Sequence, residues 1–193
     1  MDTILECRGI EKSFGGVHAL KKVNFSLNPG EVHALVGENG AGKSTLIKIV
    51  TGVYQKSSGT VFFQGKAIDY QNPHEALRSG IAAIYQELNL IPALTVAENI
   101  FLGHEENFVR FGIKNTAAMN RKANQLLKDY GFERIKAADL IDNYNFEDRK
   151  LVEIVKATYF KPKVVVVDET TTALSQEGRE ELYKYMNKIR DYG

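Results

Sequence analysis

The stretch Gly37-Glu38-Asn39-Gly40-Ala41-Gly42-Lys43-Ser44-Thr45 decides the fold, and it matches the pattern G-x-x-x-x-G-K-[ST] in full. It follows the run Glu31-Val32-His33-Ala34-Leu35-Val36, whose apolar end predicts a buried strand. It precedes Leu46-Ile47-Lys48-Ile49-Val50, which predicts a helix with Gly52 as its C-cap. A glycine loop between a strand and a helix is the context in which this pattern binds phosphate. The sequence therefore predicts a loop that binds a nucleoside triphosphate.

The residue types of this loop suit a phosphate ligand. The glycines at 37, 40 and 42 let the backbone curl around an anion, because no Cβ stands in the way. The N–H groups of the loop and the positive end of the helix dipole then point at the anion. Lys43 is expected to reach the β- and γ-phosphate oxygens, and the Ser44 hydroxyl is expected to ligate Mg²⁺. The alternative is a glycine-rich turn that only starts a helix, and the apolar runs on both sides argue against it.

Length and composition restrict the class of protein. The chain has 193 residues, which suffices for one substantial core or for one domain with an inserted lobe. Its net charge of +1 does not favour nucleic acid or anionic lipid as a partner. The single cysteine, Cys7, excludes an internal disulfide and fits a reducing compartment. The sequence contains neither a signal-peptide pattern nor a run of the ~20 apolar residues that cross a bilayer. Any action at a membrane is therefore expected from the cytoplasmic side, through a partner.

Two side chains near predicted strands have both a structural and a functional interpretation. Strand patterns occupy residues 4–8, 19–27, 59–63 and 81–85, and a short helix is predicted between Asn72-Pro73 and Gly80. Phe14 lies between the first two strands, where an aromatic ring either packs or stacks on adenine. Gln86 ends the strand at 81–85, and it is either a polar cap or a ligand of Mg²⁺ or of the attacking water.

The middle of the chain is predicted to be helical, and we interpret residues 87–160 as a lobe inserted into an α/β core. Thr95 and Glu98 form a capping box, in which each residue binds the backbone N–H of the other. Apolar residues at helical spacing follow Thr116, and Gly131 is expected to end that helix.

The core is expected to resume at four valines, residues 164–167, which suit a parallel strand buried on both faces. Asp168 and Glu169 follow, at the strand end where open α/β sheets place ligands. Asp168 is expected to hold Mg²⁺ through water, and Glu169 is expected to polarise the attacking water as general base. The alternative is a pair of acids that cap the next turn. A closing helix is predicted to begin near Ser175.

Three stretches resemble the ATP-binding subunits of ABC transporters: residues 35–45, Tyr85-Gln86-Glu87-Leu88-Asn89-Leu90-Ile91-Pro92 and Leu94-Thr95-Val96-Ala97-Glu98-Asn99-Ile100-Phe101-Leu102-Gly103. The second and third together resemble, more narrowly, the N-terminal half of the tandem ATPases that drive bacterial monosaccharide importers of the ribose and galactose type. The resemblance implies an α/β fold: a P-loop NTPase core with an N-terminal antiparallel β subdomain and an inserted helical subdomain. The core is expected at residues 1–86 and 161–193, and the helical subdomain at 87–160.

The resemblance also implies a role for each matching residue. Phe14 becomes the adenine-stacking aromatic, and Gln86 becomes the residue that senses the γ-phosphate and contacts the permease. Asp168 and Glu169 become the Mg²⁺-associated acid and the catalytic base, and residues 173–175 become the loop that crosses the dimer interface. The catalytic residues implied are Glu169, Gln86 and Lys43. The metal-binding residues implied are Ser44, Gln86 and Asp168. The residues implied to bind ATP are Phe14, Gly37, Asn39, Gly40, Ala41, Gly42, Lys43, Ser44 and Thr45.

By this resemblance the chain is expected to be an ATPase that energises sugar import, with ATP and Mg²⁺ at its site. Its implied location is peripheral, on the cytoplasmic face of a bacterial inner membrane. Its implied partners are membrane permease subunits, a second ATPase domain and, indirectly, an extracytoplasmic sugar-binding protein, with no nucleic acid. Two alternatives stay open: a catalytically inert ATP-binding module, and an ABC ATPase outside transport. The lack of sustained heptads and of a basic excess argues against the second.

Two departures from the family pattern change what is expected. The family signature Leu-Ser-Gly-Gly-Gln is replaced by Tyr144-Asn145-Phe146-Glu147-Asp148. Asn145 is expected to cap that helix with Asp148 at its third position, whereas Phe146 and Glu147 are expected to weaken phosphate binding. We therefore expect an asymmetric pair of ATP sites, of which only the one built on Lys43 hydrolyses ATP.

The second departure concerns the switch histidine, which the family carries on a strand after the closing helix. The four histidines lie at 18, 33, 74 and 104, and none follows Glu169. The chain is therefore expected to be truncated at its C-terminus, with weak or no turnover in this form.

Overall fold

The computed structural model describes residues 3–85, 87–110, 112–159, 161–168 and 176–191. Contacts between residues divide the chain into two units. The first unit comprises residues 1–83, 162–168 and 182–193. The second unit comprises residues 84–161 and 169–181.

A four-stranded antiparallel sheet forms much of the first unit. Its strands are β1 (Leu5–Phe14), β2 (Val17–Leu27), β3 (Ser58–Phe63) and β4 (Lys66–Ile68), in the order β2-β1-β3-β4. Leu5 pairs with Leu27 on one side and with Phe63 on the other. Gly15 and Gly16 make the turn between β1 and β2 at φ values of 51° and 89°, which glycine adopts at little cost. This sheet is the predicted N-terminal antiparallel β subdomain.

The first unit also contains two helices and most of a strand pair. They are α1 (Lys43–Val50), α2 (Pro73–Ser79) and the pair of β5 (Ile81–Ile84) with β8 (Val164–Val167). The α2 ends are as predicted, since Asn72 accepts a bond from the Glu75 N–H and Gly80 caps the helix at φ 108°. The buried core contains Ile4, Leu5, Cys7, Ile10, Leu20, Leu46, Ile49, Val50, Val61, Phe63, Ala76, Ile81 and Val164.

The burial expected for the valine strand is only partly found. Val164 is buried, whereas residues 165–167 of β8 are half-buried. Within the part of the chain that the structure describes, β8 pairs with β5 alone, so the strand is not enclosed on every side.

The strand predicted just before the phosphate loop is absent, which corrects the sequence interpretation. Residues 31–38 are irregular, and the side chains of Val32, Leu35 and Val36 are 51%, 38% and 92% exposed. None of the strands found in residues 3–85, 87–110, 112–159 and 161–168 pairs with this run. A strand is stable only where its N–H and C=O groups have ladder partners, and the apolar pattern by itself does not supply them.

The second unit is mainly helical. It contains α3 (Val96–Ile100), α4 (Thr116–Asp129) and α5 (Phe146–Thr158), 3₁₀ turns at Glu105–Phe108 and Ile141–Asn143, and the hairpin of β6 (Val109–Arg110) and β7 (Ile113–Lys114). Both bonds of the predicted capping box at Thr95 and Glu98 are present. The three α-helices bury apolar faces against one another, and the fully buried residues include Val96, Phe101, Met119, Leu127, Leu151 and Ile154. A last helix, α6 (Gln176–Asp191), follows. In the described residues no helix combines the length and the apolar character that a membrane span requires.

Candidate functional site

The phosphate loop ends at the start of α1, and that helix start is open to an anion. Gly42 occupies the N-cap position at φ 90° and ψ 3°, so no side chain caps the first N–H groups of the helix. The first turn of α1 carries no acidic residue. N–H groups without a side-chain cap, at the positive end of the helix dipole, make this terminus attractive to phosphate.

Gly42 is required at its position for two reasons. Its positive φ strains any residue with a Cβ. A Cβ there would also lie 2.6 Å from Leu20 Cδ2 and 2.7 Å from the backbone oxygen of Ala19. Gly40 has a similar φ of 85°, but a Cβ on it would meet no atom within 4 Å. The loop therefore packs directly onto β2 at Gly42 and stands free at Gly40.

Lys43 extends back over the loop that precedes it. Its Nζ donates to the backbone oxygens of Gly37 at 2.7 Å and Glu38 at 3.0 Å. This places the ammonium group at the loop that precedes α1. A phosphate bound there would receive both the backbone donors and this charge.

Ser44 and Asp168 meet at the same helix start although 124 residues separate them. The Ser44 hydroxyl donates to Asp168 Oδ1 at 3.5 Å, and both residues are half-buried. A hydroxyl and a carboxylate are the hard oxygen ligands that Mg²⁺ prefers. In the described residues no three His, Cys, Asp or Glu side chains form a metal cluster. The two oxygen donors that are present, one hydroxyl and one carboxylate, fit an ion that keeps water or phosphate oxygens in its other positions, as Mg²⁺ does.

The other residues predicted to bind ATP are distributed around this loop. Asn39 and Ala41 are exposed, and Thr45 is half-buried in the first turn of α1. Phe14 ends β1, with its side chain 42% exposed. The Phe14 ring meets Tyr54 edge-to-face at 5.2 Å, and the Lys12 ammonium lies 4.9 Å from the ring centroid. The ring is thus supported by neighbours and still partly open to a ligand.

Several predicted residues lie outside the described part of the chain. They are Gln86, Glu169 and the interface loop at residues 173–175.

The start of α5, where the sequence predicts the counterpart of the family signature, differs chemically from the start of α1. Asn145 caps it as predicted, because its side chain accepts from the Asp148 N–H at 2.8 Å. The Asp148 carboxylate itself accepts from Arg134 Nε at 2.7 Å. The Glu147 carboxylate lies against Gly178 in α6, where a Cβ would stand 2.1 Å from its Oε1. The chain's own cap and acids therefore occupy this helix start, and they oppose a phosphate.

A family model described as "ABC transporter" matches residues 20–172. The chain belongs to the ABC transporter family. Among its relatives are ribose import ATP-binding proteins of Rubrobacter xylanophilus (45% identical over 100% of this chain and 38% of the relative) and Halalkalibacterium halodurans (42%, over 98% and 38%). A galactofuranose transporter ATP-binding protein of Escherichia coli is 41% identical over 98% of this chain and 37% of the relative. The chain thus spans about two fifths of the length of these relatives.

Solved structures agree with this assignment. An ATP-binding cassette of an ABC transporter in its ADP conformation matches with a TM-score of 0.84 and 27% identity, over 100% of this chain and 79% of that one. A Clostridium perfringens subunit of an ABC transporter complex matches with a TM-score of 0.79 and 28% identity, over 100% and 75%. The α/β fold of the ABC ATPases is therefore the fold of this chain.

One feature of this ABC domain was missed from the sequence: an ion pair inside α5. The side chains of Lys150 and Glu153 are 0% and 4% exposed, and Lys150 Nζ donates to Glu153 Oε2 at 2.6 Å. The helical period was the available signal, since Lys150 lies one turn before the buried Ile154 and therefore shares its face. Charged side chains are rarely buried unless paired, so the charge of these two residues gave no indication that they are buried.

Proposed function

We propose that this chain binds ATP and hydrolyses it to energise the import of a sugar. The observation that carries the proposal is the contact of Ser44 with Asp168, at 3.5 Å, at the start of α1, which has no side-chain cap and no acidic residue in its own first turn. A nucleoside triphosphate with its Mg²⁺ is the ligand that uses all of these groups together. The sugar is proposed because the relatives are named as ribose and galactofuranose proteins.

In this proposal the phosphate loop holds the triphosphate through its backbone N–H groups. The Lys43 ammonium, which bonds the Gly37 and Glu38 carbonyl oxygens, also donates to phosphate oxygens. Phe14 stacks on the adenine ring. The residues proposed to bind ATP are Phe14, Gly37, Asn39, Gly40, Ala41, Gly42, Lys43, Ser44 and Thr45.

We further propose that Ser44, Asp168 and Gln86 hold Mg²⁺. When bound, the ion neutralises the charge that develops on the phosphate oxygens. Glu169 takes the proton of the attacking water, and Gln86 orients that water. The roles of Gln86 and Glu169 rest on the family resemblance of the residues around them.

The proposed partners follow from the names of the relatives. An import ATP-binding protein works with membrane permease subunits, with a second ATPase domain and, through the permease, with an extracytoplasmic sugar-binding protein. We propose that the chain acts at the cytoplasmic face of the membrane and that residues 87–160 form the helical subdomain that docks on the permease.

Turnover of ATP by the chain, beside Lys43→Ala and Glu169→Gln, tests the proposal. We expect slow hydrolysis by the wild type and its loss in both variants. We also expect Glu169→Gln to retain ATP binding, because it keeps the phosphate loop and loses only the base. Equal rates in the wild type and Lys43→Ala would contradict the proposal.

A second candidate is a catalytically inert ATP-binding module, and the acids at the start of α5 favour it. Restoring Ser-Gly-Gly-Gln at residues 145–148 separates the two. An ATPase limited by these acids gains rate, whereas an inert module hydrolyses nothing before or after the change.

A further inference from the structure

The buried ion pair of α5 contacts the chain on both sides of Gln86. Lys150 Nζ donates to the backbone oxygen of Tyr85 at 2.5 Å, directly before Gln86. Glu153 Oε1 accepts from the backbone N–H of Asn89 at 3.1 Å and from its Nδ2 at 3.4 Å. Lys156, three residues farther along α5, donates to the Asn89 oxygen at 3.1 Å. One face of one helix thus binds the backbone before and after residues 86–88.

Stability alone is a weak explanation for such a pair. Removing two charges from water is costly, and replacing a buried ion pair with apolar side chains of similar volume is often neutral or stabilising. Apolar side chains, however, cannot accept the Asn89 N–H or donate to the Tyr85 oxygen. What Lys150 and Glu153 specifically provide is therefore a fixed position for the backbone at Tyr85 and at Asn89.

We propose that Lys150 and Glu153 are positioning residues that hold Tyr85 and Asn89, the described residues on either side of Gln86 in the sequence. The proposal rests on the function proposed above, in which Gln86 acts on Mg²⁺ and on the attacking water. A reacting group displaced by about 1 Å loses on the order of 10²-fold in rate, so loss of these contacts is expected to lower turnover while leaving the phosphate loop intact.

The decisive variant is the double change Lys150→Met with Glu153→Leu. Either single change leaves a buried charge without its partner and is expected to unfold the domain, whereas the double change removes both charges and keeps the volume. Thr158→Val is the matched control. It also removes a buried polar group of α5, but among the described residues its hydroxyl bonds Ile154, Val155 and Tyr130 and neither Tyr85 nor residues 87–89.

Hydrogen exchange of residues 85–89 in the 193-residue chain measures the positioning directly and needs no turnover. We expect faster exchange of this segment in the double variant, with thermal unfolding close to that of the wild type, and unchanged exchange in Thr158→Val. Unchanged exchange in the double variant would overturn the proposal.

Turnover distinguishes positioning from a purely structural role. In the double variant we expect kcat to fall by about 10- to 100-fold and the Mg²⁺ concentration for half-maximal rate to rise, with the affinity for ATP unchanged. Wild-type kcat and Mg²⁺ dependence in this variant would overturn the catalytic part. If the wild type and Lys43→Ala are equally inactive, the proposed function fails instead, and the exchange result still decides whether the pair holds the segment.

Discussion

Alanine substitutions at Gly42 and Gly40 test how the phosphate loop packs. Both glycines have a positive φ, but a Cβ at Gly42 would meet β2, whereas a Cβ at Gly40 would meet no atom within 4 Å. Their φ values are 90° and 85°, so either alanine pays about 1–2 kcal/mol for the left-handed conformation. Both also regain about 0.4–1 kcal/mol because alanine restricts the unfolded chain. Gly40→Ala is therefore expected to lower the free energy of unfolding by about 1 kcal/mol.

Gly42→Ala carries an additional steric cost. Its Cβ would stand 2.7 Å from the backbone oxygen of Ala19 and 2.6 Å from Leu20 Cδ2. The Leu20 side chain can shift, but the Ala19 oxygen belongs to β2 and cannot move alone. Overpacking of this kind costs about 1–3 kcal/mol, so Gly42→Ala is expected to lower the free energy of unfolding by about 2–4 kcal/mol.

Urea unfolding of both variants beside the wild type measures the difference. We expect equal m-values and a gap of about 1–3 kcal/mol between the two variants, with Gly42→Ala the less stable. If the two agree within about 0.5 kcal/mol, the packing of the loop onto β2 is refuted.

Three further predictions concern sites outside the loop. Burial, and to a lesser degree the charge of Glu6, raises the pKa of the Cys7 thiol to about 12. Cys7 is therefore expected to resist a thiol reagent at pH 8 until urea unfolds the chain, and rapid labelling of Cys7 without urea would contradict this prediction. The Lys114 ammonium, and next the Thr95 N–H, lower the pKa of Glu98 from its ordinary 4.5. The stability that the ionised Glu98 adds to the fold is therefore present above pH 4.5 and is lost as the pH falls through the folded pKa. Glu98→Gln is expected to reduce the fall of the melting temperature at acid pH, and an unchanged fall would contradict this prediction. Gly178→Ala is expected to raise the free energy of unfolding by less than the ~1 kcal/mol that alanine usually adds inside a helix, since its Cβ meets Glu147. In a Glu147→Ala background the same change is expected to give the full increase, and equal increases in the two backgrounds would disprove the contact.

Local signals in the sequence predicted the helix boundaries well. Asn72, Thr95 and Asn145 each accept the backbone N–H of the third helical residue, because capping depends on residues three positions apart. The partner of Asp148 was not predictable in this way. Its carboxylate binds Arg134, fourteen residues away, and that contact depends on how the helices pack.

The apolar pattern at residues 31–36 wrongly predicted a strand. A strand needs a neighbouring strand to pair its N–H and C=O groups, and the pattern of these six residues does not say whether one is present. Ser44 and Asp168 were each predicted to serve Mg²⁺, but their contact was not predicted, since only the fold brings these distant residues to one helix start. The pair of Lys150 and Glu153 went unrecognised because charge in a sequence usually indicates a solvated face.

The central claim is that the start of α1 binds the phosphates of ATP. Calorimetric titration of the 193-residue chain with Mg-ATP, beside Lys43→Ala, tests it most directly. We predict saturable binding at one site per chain and its loss in the variant, because Lys43 supplies the ammonium that lies over the loop at the Gly37 and Glu38 oxygens. Equal affinity of the wild type and Lys43→Ala would contradict the account, since ATP would then bind away from the start of α1.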